Sequence, residues 1–358
     1  MLYKEDWDKS KKRLEALWNN EIVDRCCIAV QGKKDMCFQY EEAPSSKEEL
    51  VKYYMDPEWI LRRSIKSLEN TYYAGDGYPC IWSNFGAAGH AKYFKGAKYK
   101  FERDTVWIGG DYKDFAEDEL VYDATSSILK QELETVKYLC EQGQGKFFVT
   151  MPDNCGILDG LAALHGSEDL AMDLFDYPDE IKLACDKIFE TYKVTSDMFF
   201  DAIRKNNDNG STHGWMYTWS KGKHAQLQVD FSVMISPDMY REYALPELVK
   251  SCEWLDNAIY HLDGEQQVRH LDMILSVDRL NMIQWTPVVG QPKTSNFIST
   301  FKKIQAAGKG LVLYPELDEV ETLLTELSSK GLYLIVKEQV SCDEADRIVD
   351  LATKLTHE

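Results

Sequence analysis

The sequence lacks most of the short motifs that identify a common class of enzyme or metal site. The patterns GxGxxG and GxxxxGK[ST] are missing, so nothing argues for an open sheet that cradles a phosphate. GxSxG and HExxH are missing as well. Its nine cysteines include no CxxC pair, which excludes a zinc ribbon. Their odd number favours buried thiols in a reducing compartment over a disulfide framework.

Basic residues and long apolar runs are also scarce. With 41 Lys and Arg against 60 Asp and Glu, the net charge is −19, which repels nucleic acids and anionic membrane surfaces. No apolar run approaches the ~20 residues that span a bilayer, and the charged, amphipathic start does not resemble a signal peptide. We expect a cytoplasmic protein that acts on a small molecule. A homodimer is the commonest assembly for such a chain.

What the sequence does contain is a series of short apolar runs, most of them followed by helical patterns. An amphipathic helix at about 5–20 precedes them. The eight runs predicted as buried strands are 26–31, 80–84, 146–151, 226–231, 258–262, 281–285, 310–314 and 332–336. Strands alternating with helices indicate an α/β fold with a parallel sheet. Eight of them favour a (β/α)8 TIM barrel spanning 1–358, with an insertion at 85–145 lying over its mouth.

A barrel places its reactive groups at the C-terminal ends of its strands. That rule, together with the aromatic cluster at 213–224, yields the candidate substrate-binding residues. They are Gln31, Trp82, Asn84, Asp153, Trp215, Tyr217, Gln228, Gln284, Trp285 and Tyr314. The alternating aromatics of the cluster could line a pocket for a flat ligand, or could equally belong to core packing.

His261 and Asp263 end one of the predicted strands, in the segment "YHLDGEQQVRHLD". Because side chains alternate along a strand, both point the same way. They could form part of a zinc site or a general acid/base pair. The alternative is structural: Asp263 would cap the next helix, with Gln266 at its third position, and His261 would be a core residue.

Asp230 shares a strand face with Gln228 by the same alternation. A carboxylate on an inward face is costly unless it is paired or faces a ligand, which suggests a catalytic role for Asp230. The alternative is an aspartate bonded to backbone amides at the strand end.

Residues 226–292 resemble the C-terminal half of the uroporphyrinogen decarboxylase superfamily. The resemblance rests on an aspartate-bearing strand before "SPDMY", a helix containing "LP", the strand end "HLDG", the following "HLD", and "QWTPVVGQP". It extends over most of the chain, from "NNEIVDRCCIAV" to the last helix. It implies a single (β/α)8 barrel, in agreement with the strand count.

One branch of that superfamily decarboxylates uroporphyrinogen without a cofactor and holds the substrate carboxylates with an arginine-rich stretch after the first strand. The corresponding stretch here, "VQGKKDMCFQY", contains no arginine. Lys33 and Lys34 offer charge but not the planar two-point grip of a guanidinium. The sequence thus departs from this branch where the substrate would be held.

The other branch contains cobamide-dependent methyltransferases, which use zinc to lower the pKa of a thiol or similar acceptor. Their ligands are an H-x-C pair at this strand end and a cysteine after the last strand. The resemblance places His261 and Asp263 at the pair and Glu338 near the third position. A His/Asp/Glu set is harder than His/Cys/Cys but still suits zinc.

The resemblance therefore implies a methyltransferase-like enzyme. It would move a methyl group between a cobamide such as methylcobalamin, carried by a corrinoid protein, and a small thiol or folate acceptor. Asp230, His261 and Asp263 would be its catalytic residues. A second hypothesis is a carboxy-lyase without a cofactor, acting on a porphyrinogen or another carboxylic acid, in which Asp230 stabilises a cationic intermediate. A third is a barrel that binds a corrinoid or other ligand without catalysis.

Overall fold

A parallel sheet surrounded by helices forms the centre of the fold, in a computed structural model that describes residues 1–112 and 120–358. The strands are β1 (Cys27–Lys33), β2 (Thr71–Gly75), β3 (Cys80–Ile81), β4 (Lys98–Phe101), β5 (Val106–Gly109), β6 (Phe148–Val149), β7 (Gly210–His213), β8 (Thr218–Lys221), β9 (His224–Leu227), β10 (Asn257–Asp263), β11 (Met282–Thr286), β12 (Gly310–Leu313) and β13 (Leu332–Ser341). Each of the eight predicted strands is present, which confirms the α/β class and the parallel sheet.

Helices follow most of these strands. They are α1 (Trp7–Leu17), α2 (Lys47–Met55), α3 (Pro57–Asn70), α4 (Ser127–Gly143), α5 (Ile157–His165), α6 (Ser167–Asp176), α7 (Pro178–Ile203), α8 (Pro237–Met239), α9 (Leu245–Trp254), α10 (Leu271–Leu275), α11 (Ile298–Ala306), α12 (Val320–Glu326) and α13 (Cys342–Leu355). A π-helical turn, Tyr240–Ala244, joins α8 to α9. Ser236 caps α8 by accepting a hydrogen bond from the amide of Met239, as serine before a helix commonly does.

The hydrogen-bonded ladders stop short of a closed ring. Six strands pair in parallel in the order β1, β13, β12, β11, β10 and β9, while β3 and β6 form a separate parallel pair. Over residues 1–112 and 120–358, no ladder joins β1 to β3 or β6 to β9. The antiparallel strand β2 lies beside β1, and the β7–β8 hairpin is joined to the β6 end by a bridge between Met151 and His213. The closed eight-stranded barrel therefore stays a prediction.

Alternation along the central strands separates two apolar layers. One face of β10 and β11 contributes Ile259 and Met282 to an inner cluster, while Tyr260 and Ile283 pack toward the helices. The inner cluster is covered by α1, whose Trp7 ring contacts Trp219 at 5.3 Å between centroids. Trp18, directly after α1, donates from its indole to the Trp219 carbonyl at 3.0 Å. Beyond Ile259 and Met282, the same inner face carries polar side chains.

The region predicted as an insertion, 85–145, is partly described. It contains a single-turn helix (Gly89–Tyr93), the antiparallel β4–β5 hairpin and α4. Its residues 113–119 lie outside the described residues. Lys92 and Glu132, both buried, form an ion pair of 2.9 Å that ties the first of these elements to α4. Among the described residues, no helix is both long and apolar enough to cross a bilayer.

Candidate active site

Three side chains that could bind a metal ion meet at the C-terminal ends of neighbouring strands. They are Asp230, which follows β9, and His261 and Asp263 on β10. One ligand atom from each lies within 4.8 Å of the other two, and His261 Nε2 is 3.8 Å from Asp230 Oδ1. The prediction that His261 and Asp263 face the same side agrees with this arrangement. Asp230 is the residue that joins them.

The neighbouring strand sets the orientation of the His261 ring. Gln284 pairs with His261 in the β10–β11 register, and its Oε1 lies 2.6 Å from His261 Nδ1. The amide nitrogen of Gln284 donates to Thr286 at 2.8 Å, so Oε1 is the atom that faces the imidazole. Nδ1 therefore carries the proton, and Nε2 presents its lone pair to the carboxylates. Desolvation lowers the pKa of His261, which favours this neutral form.

Asp230 begins a short helical turn that is held by another aspartate. Asp159, at the start of α5, accepts hydrogen bonds from the backbone amides of Asp230 at 3.0 Å and Phe231 at 2.8 Å. The aspartate that binds backbone amides at this strand end is therefore Asp159 and not Asp230. The oxygens of Asp230 itself accept from the side-chain amides of Gln228 at 2.8 Å and Gln267 at 3.4 Å.

The Asp230 carboxyl favours its protonated form in the metal-free protein. Desolvation, followed by the charges of Asp159 and Asp263, raises the pKa of Asp230 to about 8. Its side chain is nevertheless 44% exposed, so a ligand can reach it. A cation at this position would offset the repulsion among the carboxylates and release the proton.

Asp263 is half-buried and does not cap the following helical turn. That turn begins after Gly264 and has no side-chain cap. Gly264 adopts φ +74°, and a Cβ there would lie 2.7 Å from the Gln291 side chain, so glycine is needed for the chain to leave β10. The capping interpretation of Asp263 is therefore wrong, and its carboxylate is left to the cluster.

A chain of side-chain amides connects this cluster to a second buried carboxyl. Gln226 donates to Asp153 at 2.8 Å and to Gln228 at 3.1 Å, and Gln228 then donates to Asp230. Because the Gln226 nitrogen donates to Gln228 Oε1, the nitrogen of Gln228 is the end that faces Asp230. Burial raises the pKa of Asp153 to about 6. Asp153 is thus connected to Asp230 through two glutamine side chains.

Two further predicted residues belong to the walls of the site. Trp215 meets the His261 ring edge to face, with centroids 5.0 Å apart. The Tyr314 ring lies beneath the ammonium group of Lys337, 3.6 Å from its Nζ, and its hydroxyl donates to the Met216 carbonyl at 3.1 Å.

Three predicted residues near β1 and β3 make no contact with the cluster within the described residues. Gln31 is exposed at the end of β1. Trp82 packs on Gly214, where a Cβ would lie 2.5 Å from the indole. Asn84 is half-buried with φ +37°, a left-handed conformation that asparagine tolerates. Their roles in substrate binding stay predictions.

Tyr217, Trp285 and Glu338 are placed away from the cluster. Tyr217 is buried and stacked on Tyr78 at 4.6 Å, as the core-packing alternative implied. Trp285 is fully buried on the helix-facing side of β11, where it contacts Phe297. Glu338 is exposed and accepts from the amide of Leu317 at 2.8 Å. Within the described ranges, Asp230 rather than Glu338 completes the group of three ligands.

Sequence reasoning missed three residues that shape the site. They are Asp159, Gln226 and Thr286. Gln226 and Thr286 could have been found, because each lies two positions from a predicted residue on the same strand face. Asp159 could not, because its position depends on a tertiary contact. Lys337 stands at the end of the last predicted strand, but the sequence assigned it no role.

The donor set fits a catalytic zinc site. A neutral imidazole with its second nitrogen held by an amide, together with two carboxylates, supplies three protein ligands and leaves a fourth position open. Zinc ligands at about 2.0–2.2 Å from the metal lie roughly 3.3–3.6 Å apart in a tetrahedron. The 3.8 Å between His261 Nε2 and Asp230 Oδ1 is close to that spacing.

The fold is similar to that of a solved structure described as a methyltransferase from Methanosarcina mazei. The two align with a TM-score of 0.62 over 96% of this chain and 98% of the other, at 12% sequence identity. At this identity the likeness shows a shared fold. No family model matches the sequence, and the curated proteins include no match to it.

Proposed function

We propose that the protein is a zinc-dependent, methyltransferase-like enzyme that moves a methyl group between a cobamide and a small acceptor such as a thiol or a folate. The observation that carries the proposal is the approach of His261, Asp230 and Asp263, which each place a ligand atom within 4.8 Å of the other two. In a closed (β/α)8 barrel, the C-terminal strand ends that carry this cluster would form the mouth of the barrel. The shared fold with a methyltransferase supports the same assignment.

His261, Asp230 and Asp263 would hold the metal. Zinc bound there would lower the pKa of the acceptor, as it does for coordinated water and thiols. Gln284 keeps the imidazole in the tautomer that binds a metal, and Gln228 steadies Asp230. Trp215 lies against His261 and reduces its access to water. The cobamide would be presented by a separate corrinoid protein.

The carboxy-lyase hypothesis has less support. Lys33 and Lys34 stand where that branch of the superfamily holds substrate carboxylates with arginines. Lys33 Nζ donates to the Phe38 carbonyl at 2.9 Å, and Lys34 Nζ donates to the Glu69 carbonyl at 3.1 Å. Both ammonium groups are thus engaged by backbone oxygens outside the cluster.

Zinc content and methyl transfer test the proposal together. The purified protein is loaded with zinc, and mass spectrometry is expected to find one zinc per chain. The loaded protein is then mixed with methylcobalamin and a panel of thiols or with tetrahydrofolate, and the absorbance of cob(I)alamin is followed. A His261→Gln variant should lose both readouts. Zinc binding without turnover across the panel would point to a binding protein, and failure to bind zinc would overturn the proposal.

A further inference from the structure

Lys337 brings a positive charge to the Trp215 wall of the candidate site. It follows Tyr333 and Ile335 of the inner cluster along β13, at alternate positions. The pairing of β13 with β1 is regular up to Val336 and resumes at Val340, so residues 337–339 form a bulge. Such bulges re-aim side chains and are common beside active sites. The ammonium group consequently lies over Tyr314, 3.6 Å from the ring centroid.

No carboxylate neutralises this ammonium group. Over residues 1–112 and 120–358, Lys337 forms no ion pair within 4.0 Å; its polar contact is the Trp215 carbonyl at 3.5 Å. The adjacent Glu338 is turned to the amide of Leu317. The side chain of Lys337 is exposed, so a ligand can reach its ammonium group.

Trp215 connects this charge to the three-ligand cluster. Its carbonyl faces Lys337, and its ring meets His261 edge to face at 5.0 Å. A small molecule beside Trp215 can therefore reach both groups.

We propose that Lys337 binds an anionic group, a carboxylate or an equivalent monoanion, on an acceptor whose reactive end lies at His261, Asp230 and Asp263. This inference rests on the proposed function and names the class of acceptor. The Tyr314 ring and the Trp215 carbonyl hold the ammonium group in place. The acceptor's anion would supply the counter-charge that the chain itself does not.

The test compares two thiols that differ mainly in charge. Zinc-loaded protein and methylcobalamin are supplied with 3-mercaptopropionate or with 2-mercaptoethanol, and kcat/KM is measured for each. The quantity compared between variants is the ratio of kcat/KM for 3-mercaptopropionate to kcat/KM for 2-mercaptoethanol. Differences in the intrinsic reactivity of the two thiols cancel in that comparison. A charge-assisted contact predicts that Lys337→Met lowers the ratio by roughly 10- to 100-fold. Lys337→Arg should keep most of the preference. Lys302→Met, which removes an exposed ion pair with Glu326, should leave it unchanged.

Equal ratios in the wild type and Lys337→Met would overturn the inference, provided that both proteins bind zinc and unfold at similar temperatures. If no thiol is turned over, calorimetric titration with propionate and 1-propanol decides separately. Propionate binding that is weakened in Lys337→Met but not in Lys302→Met would support the anion site, even though methyl transfer had failed. Equal binding of propionate to both variants, or none to the wild type, would overturn it.

Discussion

His261 and Gln284 are register partners on adjacent strands, and a 2.6 Å contact joins Nδ1 of the first to Oε1 of the second. This contact fixes the tautomer that leaves Nε2 available to a metal ion. Removing the acceptor in Gln284→Leu should weaken zinc binding by roughly 10- to 100-fold, as loss of an outer-shell partner commonly does. Competition with a chromophoric chelator measures the affinity.

A carboxylate can replace the amide oxygen, so Gln284→Glu should retain zinc binding. Gln339→Leu, an exposed glutamine in the bulge of β13, serves as the matched control and should bind zinc like the wild type. Equal affinities for Gln284→Leu and Gln339→Leu would show that the contact does not orient the imidazole.

The identity of the third ligand is a separate prediction. The structure groups Asp230 with His261 and Asp263, whereas the family resemblance pointed to Glu338. Asp230→Asn should therefore lower zinc affinity by more than the roughly 10- to 100-fold expected from an outer-shell change. Glu338→Gln should leave it near the wild-type value. The same chelator competition distinguishes them, and the reverse order would assign the position to Glu338.

His90 should make the stability depend on pH. It is buried against Tyr192, and its Nε2 has no hydrogen-bond partner among residues 1–112 and 120–358. Desolvation, followed by the charge of Lys92, lowers its pKa from 6.5 to about 3. The unfolded chain therefore takes up this proton first as pH falls. Stability from this group is complete above pH 6.5 and is lost progressively as the pH falls toward about 3.

Urea unfolding at several pH values measures this dependence. His90→Gln should reduce its slope below pH 6.5 by up to about 1.4 kcal/mol per pH unit, the value for one proton. His357→Gln replaces an exposed histidine and should leave the slope unchanged. An unaltered slope in His90→Gln would mean that His90 titrates alike in the folded and unfolded chains.

Removing one partner of the buried ion pair between Lys92 and Glu132 should destabilise the protein more than replacing both partners by apolar residues. Glu132 also accepts from Tyr93 at 2.6 Å. Glu132→Leu leaves the Lys92 ammonium group buried without its partner, so it should reduce the free energy of unfolding by about 3–5 kcal/mol. The double variant Lys92→Met, Glu132→Leu removes both charges and should lose clearly less.

Chemical denaturation of both variants checks this prediction. The exposed pair of Lys302 and Glu326 is the control, since breaking it should cost less than about 1 kcal/mol. If the single and double variants lose the same stability, the unpaired charge is not the source of the cost.

Local alternation predicted a large part of this arrangement. His261 and Asp263 share a face as expected, because the period of two is a property of the strand alone. The strand predicted at 226–231 instead ends at Leu227, and Asp230 begins a helical turn, so its contact with Gln228 does not arise from strand alternation. The alternation failed at Tyr217, whose φ of +58° turns the chain out of the strand pattern. Its side chain consequently packs in the core instead of beside Trp215.

Contacts between distant elements were beyond the reach of a single sequence. Asp230 reaches His261 because β9 is hydrogen-bonded to β10 and because Asp159 holds the intervening turn. The assignment of Glu338 rested on the family resemblance, whereas the neighbouring Lys337 is the residue that continues the inner series of Tyr333 and Ile335. The hairpin of β4 and β5 carries no strong periodic signal and was not anticipated.

The opposite placement of Gln284 and Trp285 has a consequence for how such a protein can diverge. One residue steers the imidazole and its neighbour packs against Phe297, so chemistry and packing occupy interleaved positions of one strand. Point substitutions at the inward positions can therefore alter the reaction while the helical layer keeps its partners. A single deletion within β11 would exchange the two faces of the strand and disturb the site and the helix packing together. A new activity can therefore evolve here by substitution of side chains while the strand keeps its length.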